Sequence, residues 1–364
     1  MRRRDFIRNG IAVSAGLSTV GCSSIKSVIV QSKKVQLWKE LSHFSPRPEG
    51  TMPMKEIGKT GINVSQLGFG SHIRKEMVGY DLQREYVIRE AHDLGINLFD
   101  VYDGELECYQ YKPMGQFLRP VINDVIISIS MKTYEGRTME EEFERALRLF
   151  GREYIDLVRC HAVSPDHKRW KEHWTYAEKL LRYKEQGKIR AVGVPIHTMD
   201  DLGIVLDTYP IDYVIFPYNF YHNICWFGSA GDNFDSLPVR LRKSGIGVIT
   251  MKPFMGDYLV KPFIDIARQL TKEPEITYPR SALRFVINSG IKADSTLAGM
   301  YSLKHLYDDI VAFFEPSISD EEHSLLDELR KAAGQRASAW LPEHYKWLEN
   351  WASKPAHESS ISIG

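Results

Sequence analysis

The chain has 364 residues, with 47 basic side chains against 47 acidic ones and a hydrophobic fraction of 43 %. Its apolar and aromatic content is that of a globular protein, which excludes wholesale disorder. Zero net charge argues against a general nucleic-acid binder, and no apolar run reaches the ~18 residues of a membrane span. The length suits one α/β barrel of about 250 residues with extensions at both ends.

Charge is unevenly spread. Residues 1–21 hold Arg2, Arg3, Arg4 and Arg8 against Asp5, so the rest of the chain is acidic by three. A basic end followed by the weakly apolar run 10–21 has the layout of a targeting segment and is set aside from fold reasoning. Arg3-Arg4-Asp5-Phe6-Ile7-Arg8 resembles the twin-arginine export signal: paired arginines, a spacer, then Phe and an aliphatic residue. Thr19-Val20-Gly21-Cys22 partly resembles a lipoprotein box, with Thr19 departing from the preferred aliphatic residue. These resemblances imply the twin-arginine machinery as a partner, a periplasmic location, and a lipid at Cys22 as the one route to membrane attachment. Residues 23–52 read as a linker, with Ser45-Pro46-Arg47-Pro48-Glu49-Gly50 at its end.

Short apolar runs then alternate with helical patterns. Strands are expected over 64–69, 97–102, 125–131, 155–161, 189–194, 213–217, 247–252 and 295–298. Helices are expected over 82–94, 110–118, 139–150, 176–186, 201–207, 280–288 and 302–314, with Ser302 as an N-cap. Eight such alternations with near-continuous apolar strands predict a parallel sheet closed into a (β/α)8 barrel over 53–316. An open doubly wound sheet would need a glycine-rich phosphate turn. Gly68-Phe69-Gly70 lacks the third glycine and reads as a tight turn. Ser319-Asp320-Glu321-Glu322 predicts a capping box opening a helix to about residue 333. Residues 317–364 form a C-terminal helix and a tail bearing Trp340, Tyr345, Trp347 and Trp351, which either packs on the barrel or covers its mouth. Cys108, Cys160 and Cys225 are widely spaced and form no metal-ligand pattern, so no metal is expected.

In such a barrel, chemistry sits at the C-terminal strand ends. Reading those ends gives Asp100, Lys132, His161 and Lys252. The segments carrying them resemble the aldo/keto reductase family. Gly95-Ile96-Asn97-Leu98-Phe99-Asp100 is similar to its second strand and Tyr154-Ile155-Asp156-Leu157-Val158-Arg159-Cys160-His161 to its fourth. Ala191-Val192-Gly193-Val194, Gly245-Ile246-Gly247-Val248-Ile249, Ala282-Leu283-Arg284-Phe285 and Leu297-Ala298-Gly299-Met300 follow in family order. The resemblance covers residues 54–314.

The resemblance implies reduction of an aldehyde or ketone of a small molecule, a sugar derivative among the candidates, with NADPH or NADH. It also implies a tetrad in which a tyrosine supplies the proton. A free phenol has a pKa near 10, so a lysine cation lowers it, an aspartate pairs with the lysine, and a histidine orients the carbonyl oxygen. Asp100 and His161 fall at matching positions. The family's lysine position holds Ser130, and Lys132 lies two residues on, on the same strand face but ~6–7 Å further along. The tyrosine position holds Glu105. Tyr102 and Tyr109 are the substitutes: Tyr102 shares the inward parity of Asp100, whereas Tyr109 stands near the first turn of the next helix and is preferred.

Pro195-Ile196 and Ile215 replace the polar residues that hold the nicotinamide carboxamide, which leaves stacking on Tyr218. Gly299, Ser302 and Lys304 at a helix start suit the adenosine phosphates, and Lys252 joins the cofactor-binding set. Two further functions stay open. One is an envelope barrel that binds carbohydrate or protein without hydride transfer. The other is a non-redox enzyme using Glu105 and His161 as an acid/base pair.

Overall fold

The computed structural model describes residues 46–72, 81–102, 110–131, 137–160, 170–196, 210–221, 241, 243–255 and 260–333. The expected export signal, the helix over 201–207 and the aromatic tail lie outside the described residues.

Strands β1 (Met54–Glu56) and β2 (Asn63–Ser65) form an antiparallel hairpin. The eight that follow are β3 (Leu67–Gly70), β4 (Leu98–Tyr102), β5 (Ile126–Met131), β6 (Ile155–Cys160), β7 (Ile189–Pro195), β8 (Tyr213–Pro217), β9 (Gly247–Met251) and β10 (Ser295–Gly299). They run parallel and close into a barrel as β10 returns to β3, as the alternating pattern predicts. The described helices are α1 (Asp81–Asp93), α2 (Tyr111–Leu118), α3 (Met139–Phe150), α4 (Trp170–Glu185), α5 (Val260–Ala267), α6 (Pro274–Asn288), α7 (Leu303–Phe314) and α8 (Asp320–Ala333).

Strand alternation sorts the core into two regions. Leu98, Leu157, Ala191, Tyr213, Ile215, Ile249 and Leu297 fill the barrel interior. Their neighbours Phe99, Val101, Ile127, Ile129, Val158 and Val192 face the helices. The hairpin packs Ile57, Ile62 and Val64 onto the interior cluster. Asp294 fastens it there, accepting from the Gly58 and Val248 amides at 3.1 and 2.8 Å and pairing with Lys55 at 2.8 Å. Gly58 has φ +52°, and a Cβ on it would meet the Gly245 carbonyl oxygen at 2.4 Å, so the turn requires glycine.

Helix ends follow their caps. Thr138 and Glu141 form a reciprocal capping box on α3, and Ser319 and Glu322 exchange bonds of 2.9 and 3.2 Å at the start of α8 as expected. Three expectations are corrected. The first predicted strand is two: Ser65 ends the hairpin and Leu67 enters the barrel. Gly68 and Gly70 are strand residues of β3 rather than a turn; a Cβ on Gly68 would meet the Leu297 side chain at 2.5 Å. Helix α6 begins at Pro274 and runs through Pro279 rather than starting after it.

Candidate active site

The barrel register sets two adjoining rows of side chains. Asp100 on β4 lies beside Ser128 on β5. The next inward row runs Tyr102, Ser130, Arg159, Gly193 and Tyr213 across β4 to β8. Arg159 is a guanidinium on a strand whose residues are all buried. Such a charge is tolerated only when paired. Its Nη1 donates to Asp100 Oδ1 at 2.5 Å and its Nη2 to Oδ2 at 3.0 Å, a two-pronged pair. Ser128 Oγ donates to Asp100 Oδ1 at 2.6 Å and receives Arg159 Nη1 at 3.0 Å. Burial opposes the Arg159 charge, but the Asp100 carboxylate outweighs it and holds the guanidinium pKa above its ordinary value.

Gly193 makes room beside this pair. A Cβ there would come within 2.3 Å of the Tyr213 ring. Tyr213 is buried in the barrel, and burial pushes its phenol pKa upward despite the opposing pull of Arg159.

Lys252 follows the last residue of β9. By strand alternation Met251 faces inward and its successor would face the helices. Instead the backbone at Lys252 turns left-handed, with φ 57°, and both residues line the same cavity. Burial, then the nearby Arg159 charge, pulls the Lys252 pKa down from 10.5 to about 8.

The cavity has a volume of about 240 Å³ and lies at the C-terminal strand ends. Asp100, Tyr102, Ser130, Arg159 and Lys252 supply its polar wall, with His72, Ser71 and Tyr301 at further positions. Pro195, Phe254 and Leu297 are among its apolar members.

The expected site residues separate on this geometry. Asp100 is in the cavity wall, paired with Arg159 rather than with a lysine on β5. Ser130, at the family's lysine position, lines the cavity beside Arg159 in register. Tyr109, Lys132, His161 and Glu105 lie outside the described residues; Tyr102 is in the wall, its ring 5.6 Å from His72. Tyr218, expected as a stacking platform for the nicotinamide, follows β8 on the outward parity, buried in an apolar cluster with its ring 6.1 Å from that of Phe285. Gly299 lines the cavity. Ser302 accepts from the His305 amide at 3.1 Å as the N-cap of α7. Lys304 is engaged on the helix surface, 2.5 Å from Asp308. Sequence reasoning missed Arg159; the signal was an arginine at inward parity within an apolar strand, two residues from His161. Cys160, at outward parity, is a free buried thiol whose pKa burial pushes up to about 12, which makes it inert.

A closed parallel barrel with its polar cavity at the strands' C-terminal ends has its site where barrel enzymes place chemistry. The model of the aldo/keto reductase family matches residues 80–331, and the chain belongs to that family of carbonyl oxidoreductases. Among solved structures it is similar to PA4992, an aldo-keto reductase assignment from Pseudomonas aeruginosa. The identity is 18 % and the TM-score 0.58, over 74 % of this chain and 98 % of that one. It is similar also to the aldo-keto reductase AKR11C1 of Bacillus halodurans. The apo form is 19 % identical with TM-score 0.56, and the holo form 18 % with 0.57; each comparison covers 81 % of this chain and 99 % of the other. At these identities the likeness is one of fold. No curated protein matches the chain.

Proposed function

We propose that the protein reduces the carbonyl group of a small molecule, with NADPH or NADH as hydride donor. The observation that carries this is the Asp100 carboxylate, clamped by a cation and set in the cavity wall of a barrel of this family. Arg159 takes the place of the lysine as the partner of Asp100, from the neighbouring strand. Lys252 lines the same cavity, and a cation there would stabilise an oxygen gaining negative charge. The proton falls to a phenol, Tyr109 or Tyr102, with His161 orienting the carbonyl.

The described residues fit the cofactor at one end. Gly299 lines the cavity, and Ser302 caps the N-terminus of α7, a helix end of the kind that suits a phosphate. At the nicotinamide end they do not fit. Ile196 is buried among outward-facing apolar residues, Ile215 is buried in the barrel interior, and neither offers a hydrogen bond to a carboxamide. When bound, the cofactor supplies the hydride.

That mismatch favours a second reading, a barrel that binds a small molecule without redox turnover. Titrating the purified full-length chain with NADPH and NADH, followed by energy transfer from tryptophan, separates the two. Saturable binding is expected. Its absence at millimolar cofactor overturns the reductase reading and leaves the fold untouched. With binding established, turnover followed by reduced-nicotinamide absorbance should collapse in His161→Ala and Tyr109→Phe; an unchanged Tyr109→Phe transfers the proton to Tyr102.

The proposal extends to location. The twin-arginine resemblance at Arg3-Arg4 supports export to the periplasm, with Cys22 as the residue for a lipid anchor. Among the described residues no helix is long and apolar enough to cross a membrane. Outside the cytoplasm the hydride donor is not replenished by diffusion, so repeated turnover needs a cofactor loaded before export, held tightly, and re-reduced in place by a second substrate that donates hydride, such as an alcohol.

A further inference from the structure

We propose that Arg159 is a catalytic residue in its own right, the remaining edge of its guanidinium receiving the carbonyl oxygen of the substrate. For the reaction this rests on the reductase reading above; for the contact it rests on the cavity wall. A guanidinium carries five N–H donors in one plane. Among the described residues three are used: Nη1 donates to Asp100 Oδ1 and Ser128 Oγ, and Nη2 to Asp100 Oδ2. The two left over, on Nε and Nη2, share one edge of the plane and point the same way, a fork that can grip an oxygen. The Tyr213 phenol lies near enough to feel the charge, yet its oxygen takes no aligned hydrogen bond. Arg159 is only 5 % exposed, and it lines the cavity.

The pairing sets what this edge does. Asp100 offsets the charge of Arg159, so the edge offers directed donors with little net charge, which suits a neutral carbonyl. As the carbonyl carbon gains hydride from reduced nicotinamide, the C=O π pair moves onto the oxygen. Hydrogen bonds to that oxygen strengthen as its charge grows. The fork holds the charge until the phenol's proton arrives. Arginine itself keeps its protons, because Asp100 holds its pKa above the ordinary value. Three bonds already fix the guanidinium, so it need not reorganise as the charge develops. Pro195, Phe254 and Leu297 in the same wall suit the carbon skeleton.

The probe is para-dimethylaminobenzaldehyde, a neutral aldehyde. Its absorption moves to longer wavelength as its carbonyl oxygen is hydrogen-bonded more strongly, and to shorter wavelength than in water among apolar groups alone. Titrated into the full-length chain without nucleotide, it is expected to give a bound band at longer wavelength than in water. Arg159→Lys keeps a cation for Asp100 but loses the fork. It should move the bound band to shorter wavelength than in water and weaken binding about tenfold. Asp100→Asn keeps the shape and removes the offsetting charge, so it should lengthen the shift further. Lys261→Ala, on the exposed surface of α5, should change nothing. The pH series needs no substitution at the buried pair. The wild-type shift should hold from about pH 7.5 to about pH 9.5, between the imidazole of His72 and the phenols of Tyr102 and Tyr301 in the same wall. A wild-type band that is not lengthened, a lengthened band that survives in Arg159→Lys, or one that fades through about pH 8, where Lys252 loses its proton, overturns the inference. The nucleotide titration is scored separately. A lengthened band without nucleotide binding keeps the oxygen site and removes the reduction; nucleotide binding without a lengthened band does the reverse.

Discussion

Arg159 sits in a strand interior because Asp100 and Ser128 give its donors somewhere to go. Breaking such a pair from one side leaves a buried charge uncompensated. Arg159→Met is expected to cost about 3–5 kcal/mol, read from the denaturant midpoint. The double variant Asp100→Leu, Arg159→Met should recover most of that loss, because no charge is then stranded. A double variant as unstable as the single one would show that the pair contributes shape rather than charge balance. Lys252 carries the opposite energetics. Its pKa of about 8 in the folded protein lies below the ordinary 10.5. The unfolded chain therefore binds this proton more tightly. Its destabilising effect is present in full below about pH 8 and disappears as pH rises to about 10.5. Lys252→Met should therefore stabilise the protein near neutrality, by up to about 3 kcal/mol, with the advantage fading across that window. A flat difference between the two stability profiles from pH 7 to pH 11 would refute a buried cation there. Asp100 was legible in the sequence because a charged residue closed an apolar strand at a family position. Arg159 was legible in principle by parity with Asp100. Lys252 was visible as a strand-end residue, but the left-handed turn that aims it is a backbone event with no sequence signature of its own.

Among the elements, β7 and β8 show how a strand can be shaped for the side chains opposite. Gly193 gives up its Cβ to the Tyr213 ring across the strand pair. Gly193→Ala should displace that ring toward Arg159, lowering stability by about 1–3 kcal/mol and weakening whatever the cavity binds. Near-ultraviolet circular dichroism would report the changed tyrosine environment, and an unaltered spectrum with full stability would show that β7 yields instead. Strand positions were readable from sequence because buried parallel strands are almost wholly apolar. Helix limits were less so where proline intervened. Pro279 lies within α6, giving up one backbone hydrogen bond, and Pro262 lies within α5, which went unforeseen. The single run read as a first strand hid the change from hairpin to barrel at Gln66, because apolar alternation looks the same in both.

At the scale of the whole molecule, the order and parallel sense of the barrel strands followed from repeated alternation alone. The chemistry did not, because the residues meeting in the cavity come from β4, β5, β6 and the end of β9, far apart in sequence and joined only by closure. Export and cofactor binding are proposals at this scale, and the nucleotide titration decides the second.

The floor beneath the cavity has one more consequence. Leu157, Ala191, Ile215 and Ile249 pack across the barrel below it, and the hairpin stoppers the far end. Among the described residues the cavity is therefore closed from below, and what binds there reaches it from the side of the strands' C-terminal ends. For the proposed reduction, nucleotide and carbonyl compound would share that approach, and release of whichever enters first is expected to wait on the other.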